Sequence, residues 1–199
     1  MSQIRVLIAD AGPGVHEYLV DMLTAHGMIA RGFEDSRAAL EHLRGAPYDV
    51  LLLDVWAQGS GFEVLRRIRE FNGDIAVIFM LTNDSVPAGQ DDVWELNVAG
   101  WVKKPFAGEE LRANVLRAAR NRALLMRGVR AVPAAVGGRI KVAREQRSIS
   151  SEQFCKFASL TQIEATALEH GRMTPSLAFV YRLACAWGLD LEELLADPE

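Results

Sequence analysis

YDVLLLDVWAQGSGFEVLRRIRE, residues 48–70, joins two patterns of different period. Val50–Leu53 is a continuous apolar run, which a strand covered on both faces requires. The run ends on Asp54. Beyond a short loop Val64, Leu65 and Ile68 recur at helical spacing, while Arg and Glu take the opposite face. A doubly buried strand, a carboxylate at its C-terminal end and an amphipathic helix make one unit of a parallel α/β sheet.

The same unit recurs on either side. Val6–Ala9 and Ile75–Leu81 are near-continuous apolar runs, and weaker strands fit Met28–Phe33 and Gly100–Lys103. Helical patterns fall at about 14–25, 36–44, 61–71, 88–96 and 108–126. Five alternations of strand and helix predict a doubly wound, five-stranded parallel sheet with right-handed crossovers over residues 1–127. From 128 to 137 the stretch GVRAVPAAVG shows no sustained period and reads as a linker. Residues 138–199 carry no strand pattern, only short helical pieces with start signals. Ser150 with Gln153 and Thr161 with Glu164 form capping boxes. Thr174–Pro175 places a proline in a helix's first turn, and Asp190 stands as an N-cap. This second domain is expected to be all-α, with five short helices.

Composition narrows the function classes. The 199 residues carry 22 Lys and Arg against 26 Asp and Glu, a net charge of -4, which argues against a protein that coats nucleic acid by charge alone. Residues 1–127 hold 14 basic and 17 acidic side chains, and residues 128–199 hold 8 and 9. In the second domain Arg139, Lys141, Arg144 and Arg147 gather at the start and the acidic residues at the end, so a local basic face for DNA remains open. Cys155 and Cys185 stand in no CxxC or CxxH spacing and read as reduced core residues. The longest wholly apolar run, Ile75–Leu81, is far below the roughly 18 residues of a membrane span, and the N-terminus lacks a signal-peptide pattern. A soluble cytoplasmic protein without a membrane partner is expected.

In an open α/β sheet the functional crevice lies beyond the C-terminal ends of the strands. The residues there are Asp10, Asp54, Thr82 and Lys104. A carboxylate can act as nucleophile or metal ligand, a second can help hold a divalent cation, and a hydroxyl and an ammonium can bind phosphoryl oxygens.

IRVLIADAGPG, YDVLLLDVWAQGSGFEVLRRIRE, VIFMLTND and NVAGWVKKPF, in this order, resemble the CheY-like receiver domain of two-component response regulators, a flavodoxin-like (βα)5 fold. The resemblance implies Asp54 as phosphoacceptor, Thr82 and Lys104 as phosphoryl contacts, a cis Lys104–Pro105 peptide, a sensor histidine kinase as partner and Mg²⁺ as cofactor. Trp101 matches the switch aromatic; the alternative is a plain half-buried aromatic. Receivers carry an acidic pair after the first strand, whereas this chain has Asp10–Ala11. Mg²⁺ then relies on Asp54, the carbonyl of Trp56 and Asp10 through water, a weakened site. Ala57–Gln58 replaces the usual Met-Pro, and Asn83 replaces a small residue beside the phosphoryl pocket.

RIKVAREQRSISSEQFCKFASLTQIEATALEHGRMTPSLAFVYRLACAWGLDLEELL, residues 139–195, resembles the helix-turn-helix domain of the phage-repressor (XRE, Cro/C1-like) type. The family's turn glycine is Ser159, and Ser151 stands where Gln is common. A recognition helix starting at Gln162 offers a bidentate contact to adenine, and Ile163 a contact to a thymine methyl, with Thr166 and Ala167 on the same side. Phosphate-facing candidates are Arg139, Arg144, Arg147, His170 and Arg172. Glu164 either accepts from a cytosine amino group or serves only its capping box.

Together the resemblances imply a non-enzymatic transcription factor. Phosphorylation of Asp54, or a phosphorylation-independent change of the same surface, would control a homodimer on an inverted-repeat operator. The dimer route expected is the helix, strand and helix ending near Arg127. The rival reading is a protein–protein adaptor built from a degenerate receiver and a weakly charged helix-turn-helix.

Overall fold

The structure is a computed structural model and describes residues 3–57, 60–82, 96–127, 132–133 and 135–196. Strands β1 (Arg5–Ala9), β2 (Ile29–Phe33), β3 (Val50–Asp54), β4 (Ala76–Leu81) and β5 (Val98–Lys103) form one sheet, every pair parallel, in the order β2-β1-β3-β4-β5. Helices α1 (Val15–Ala25), α2 (Ser36–Gly45), α3 (Gly61–Arg69) and α4 (Gly108–Met126) cover its faces. This is the expected flavodoxin-like receiver fold. β5 begins two residues before the expected Gly100, because Val98 already pairs with Val77. The helix expected over 88–96 lies outside the described residues except for Leu96, as do Gln58 and Asn83.

Alternation along the strands feeds two cores. Val6, Ile8, Val50, Leu52, Ile78 and Met80 point to the face covered by Leu19 and Leu23 of α1 and Leu111 and Val115 of α4. Leu7, Leu51, Leu53, Val77 and Phe79 point to the other, against Leu43 of α2 and Phe62, Leu65 and Ile68 of α3. Each such side chain contributes about 1.5–3 kcal/mol through burial.

The second domain comprises α5 (Val136–Gln146), α6 (Ser151–Ala158), α7 (Gln162–Glu169), α8 (Leu177–Trp187) and α9 (Leu191–Leu195). Both capping boxes are formed, Ser150 with Gln153 and Thr161 with Glu164. α5 starts inside the stretch read as a linker. Gly137 meets α7 so closely that a Cβ there would lie 1.8 Å from the Leu168 carbonyl oxygen, so this glycine serves helix packing rather than chain freedom. Pro175 does not enter the first turn of α8. The hydroxyl of Ser176 accepts from Phe179 N at 3.2 Å and takes the N-cap, leaving Pro175 one residue outside. Asp190 stands at the N-cap of α9 but makes no side-chain capping bond.

The two domains share a core. The cluster on the α1 and α4 face continues into Val136, Ile140, Phe154, Leu168, Val180, Tyr181 and Leu191. α8 lies against β5 and α4. The chain's own α8 therefore occupies part of the strand and final helix expected to pair two copies.

Candidate functional site

Four strand ends converge as the topology requires. β1 delivers Asp10, which is 1% exposed, and β3 delivers Asp54, also buried. β5 delivers Lys104, followed by a cis peptide to Pro105. The Lys104 ammonium bridges the two carboxylates, 2.5 Å from Asp10 Oδ2 and 2.6 Å from Asp54 Oδ2. The other oxygens accept from the main chain: Asp10 Oδ1 from Gly12 N at 2.8 Å, Asp54 Oδ1 from Trp56 N at 2.7 Å. Two glycines make room for this. A Cβ on Gly12 would crowd Asp10 Oδ1, and one on Gly61 would sit 2.7 Å from the Asp54 carbonyl oxygen.

Burial pulls the Lys104 pKa down, but the hydrogen bonds and charges of Asp10 and Asp54 outweigh it, and the net shift is upward. The ammonium stays charged between its two acidic partners. A hard, oxygen-seeking cation suits these donors in kind. In number they fall short: Ala11 offers no carboxylate, and among the described residues no group of three His, Cys, Asp or Glu side chains gathers.

Thr82 is exposed just past the end of β4. Trp101 is half-buried and turned inward, stacked on Phe79 with ring centroids 5.1 Å apart and 6.1 Å from Phe62. The Trp56 side chain is 46% exposed beside Asp54. The structure thus brings Asp10, Asp54 and Lys104 into contact, while Trp101 packs on Phe79 and Phe62 and Thr82 stands at the exposed end of β4.

The helical domain offers a second surface. Ile163 is 83% exposed at the start of α7, and Gln162, Thr166 and Arg172 are exposed on the same side, with Ala167 half-buried. Gln162 is held in place: its Nε2 donates to Ser151 Oγ at 2.8 Å, and its Oε1 accepts from the Cys155 thiol at 3.5 Å. Thr166 Oγ1 donates to the Gln162 carbonyl at 2.7 Å. The Glu164 carboxylate accepts from Thr161 N at 2.8 Å and Thr161 Oγ1 at 2.7 Å, and those bonds lower its pKa.

Three of the five phosphate-facing candidates turn inward instead. Arg144 is buried against Glu169 through two bonds of 2.6 and 3.0 Å and also donates to the Ile149 carbonyl. Arg147 donates to the Trp187 and Ala143 carbonyls, and Arg139 to the Leu194 carbonyl. Arg139 and Arg147 satisfy carbonyls left without partners in the last turns of helices, whereas Arg144 neutralises the buried Glu169 carboxylate. His170 and Arg172 remain exposed.

Sequence reading missed Asn121 and Arg69. Asn121 is 1% exposed on α4 yet bonds to the helical domain. Arg69 donates to the carbonyls of Asn72, Ile75, Leu96 and Asn97, closing the ends of α3 and β5 together. Asn121 stands in no motif, and Arg69 is one of several charged residues on the polar face of its helix.

The receiver-domain family model, "Response regulator receiver domain", matches residues 6–116, more than half of the chain. The chain belongs to the response regulator receiver family. Response regulator MprA of Mycolicibacterium vanbaalenii is 33% identical over 132 residues, covering 62% of this chain and 51% of that protein. The transcriptional regulatory protein YkoG of Bacillus subtilis is 42% identical over 76 residues, 37% of this chain and 32% of the relative. The chain thus spans about half the length of the first of these relatives and about a third of the second. The chemotaxis protein CheY4 of Vibrio cholerae is similar in fold, with a TM-score of 0.52 at 24% identity over 59% of this chain and 99% of its own. A CheY-like receiver domain from Methanospirillum hungatei superposes with a TM-score of 0.57 at 14% identity, over 61% of this chain and 98% of its own. Among the described residues no helix is long and apolar enough to cross a membrane.

Proposed function

We propose that this chain is a cytoplasmic bacterial response regulator in which the receiver controls sequence-specific DNA binding by an XRE-type helical domain that begins with α5 at Val136. The observation that carries this reading is the pairing of the Asp10–Lys104–Asp54 trio with an outward-facing α7 on one chain. Asp54 is the phosphoacceptor. A lone pair on one oxygen of its carboxylate attacks the phosphorus of a phosphohistidine on a sensor kinase, and the O–P bond forms as the N–P bond breaks and the imidazole leaves. Lys104, now bridging two carboxylates, follows the new negative charge, and the Thr82 hydroxyl donates to a phosphoryl oxygen. Asp10, Asp54 and the carbonyl of Trp56 would hold Mg²⁺, which supplies charge neutralisation for the transfer. Trp101, packed on Phe79, reports the change as the switch aromatic.

On the output side Gln162 and Ile163 read base edges from the start of α7, and Arg172 contacts phosphate. A homodimer on an inverted repeat supplies the affinity that one weakly charged domain lacks. Glu164 serves its capping box, because both of its bonds go to Thr161.

Selection from random duplexes with the full chain at low salt tests the DNA assignment. An inverted repeat is expected, and Ile163→Ala relaxes selection at one base of each half-site. Recovery of no enriched sequence overturns it. For the switch, beryllofluoride with Mg²⁺ changes tryptophan fluorescence in the wild type and not in Asp54→Ala. One observation favours the adaptor reading as the rival: Arg139, Arg144 and Arg147 are spent on internal carbonyls and on Glu169, which thins the basic face. Retention of a protein partner by a chain that selects no duplex would decide for it.

A further inference from the structure

The α9 helix has five residues, too few to persist without external support. Its own N-cap residue, Asp190, makes no side-chain capping bond. The first amide of the helix is satisfied from the other domain: Leu191 N donates to Oδ1 of Asn121, on α4, at 2.8 Å. The same side chain reaches back one turn of chain, Nδ2 donating to the Leu189 carbonyl at 2.8 Å. One buried amide therefore spans the corner between α8 and α9 and uses both of its ends.

The surrounding groups fit that corner to the receiver. Gly188 ends α8 with φ 66°, and a Cβ there would lie 3.7 Å from the Arg117 guanidinium of α4. A cation beside the C-terminal end of α8 is favoured by the helix dipole. Tyr181 and Cys185, one helical turn apart on α8, are each 1% exposed and lie in the core that α8 shares with β5 and α4 of the receiver.

We propose that the β5 and α4 face of the receiver is the binding surface for the chain's own α8–α9 corner, with Asn121 as the residue that positions it. The helical domain is held on the receiver as one body, with α7 left outward, so the receiver governs where α7 is carried rather than whether it is covered. Whether α7 reads DNA does not enter this assignment.

Cys185 reports the interface. In the full chain carrying Cys155→Ser, alkylation of Cys185 is followed by mass, together with hydrogen exchange of the Leu191 amide and of β1 and β3 amides. Asn121→Ala is expected to speed both Cys185 labelling and Leu191 exchange by about ten- to a hundredfold, since buried polar groups lose their partner. The β1 and β3 amides keep their protection. Asn121→Gln, which retains the amide but misplaces it, moves the same two readouts in the same direction. Arg112→Ala, near the start of the same helix where the guanidinium pairs with Glu109, leaves them unchanged. Labelling of Asn121→Ala at the wild-type rate overturns the proposal. So does equal loss of protection through β1 and β3, which would make Asn121 a residue of the common core and not the holder of a separable corner.

Discussion

Asp10 holds the Lys104 ammonium at 2.5 Å, and Asp54 holds it at 2.6 Å from the other side. With the opposite oxygens of both carboxylates bonded to main-chain amides, the acidic crevice is already satisfied by the chain itself. The position after Asp10 is Ala11 and adds no oxygen.

Restoring that carboxylate is the first test. Ala11→Asp is expected to tighten Mg²⁺ binding by about tenfold or more, because ligand charge and number set the affinity for a hard cation. Trp56, beside Asp54, supplies the fluorescence signal for the titration. An unchanged dissociation constant would refute the explanation of the weakened site.

Lys104→Met removes the ammonium and leaves two buried carboxylates facing one another. Breaking such a pair on one side costs about 3–5 kcal/mol. Urea denaturation at neutral pH should show that loss.

In the helical domain Arg144→Ala strands the Glu169 carboxylate in the core, and about 3–5 kcal/mol is again expected. Arg144→Met with Glu169→Leu costs clearly less, since no charge remains unpaired. Denaturant titrations of the single and double variants measure the difference.

Burial pushes the Cys185 thiol from 9.0 up to about 12. A folded-state value above the unfolded one means that the contribution is complete below pH 9.0 and is lost as pH rises toward 12. Stability should fall over that window with a slope approaching ~1.4 kcal/mol per pH unit from this group. Tyr181, also raised by burial, adds to the fall above its ordinary value of 10.0. Cys185→Ala therefore flattens the fall between 9 and 10 and leaves above 10 only the shallower fall due to Tyr181, read from denaturation midpoints across the alkaline range.

The receiver fold was legible residue by residue. Doubly buried strands have to be continuous apolar runs, so Val6–Ala9, Val50–Leu53 and Ile75–Leu81 stand out, and with the weaker Gly100–Lys103 their ends lead to Asp10, Asp54, Thr82 and Lys104. Capping boxes are equally local, and Ser150 with Gln153 and Thr161 with Glu164 formed as spaced. Pro175 was misread because a hydroxyl one residue later made the better cap.

The arginines were not legible. Nothing local distinguishes an arginine that meets phosphate from one that meets a carbonyl, and Arg139, Arg144 and Arg147 found internal acceptors only when distant helix ends came within reach. Asn121 is the clearest case. In the chain it is one polar residue on a long helix, separated by 68 and 70 positions from the two groups it bonds. Periodicity and caps act over a few residues, so elements and strand ends follow from them. The bridging of Asp10 and Asp54 by Lys104 and the seating of α8 and α9 on the receiver depend on groups far apart in the chain. Only packing of the whole core brings those together.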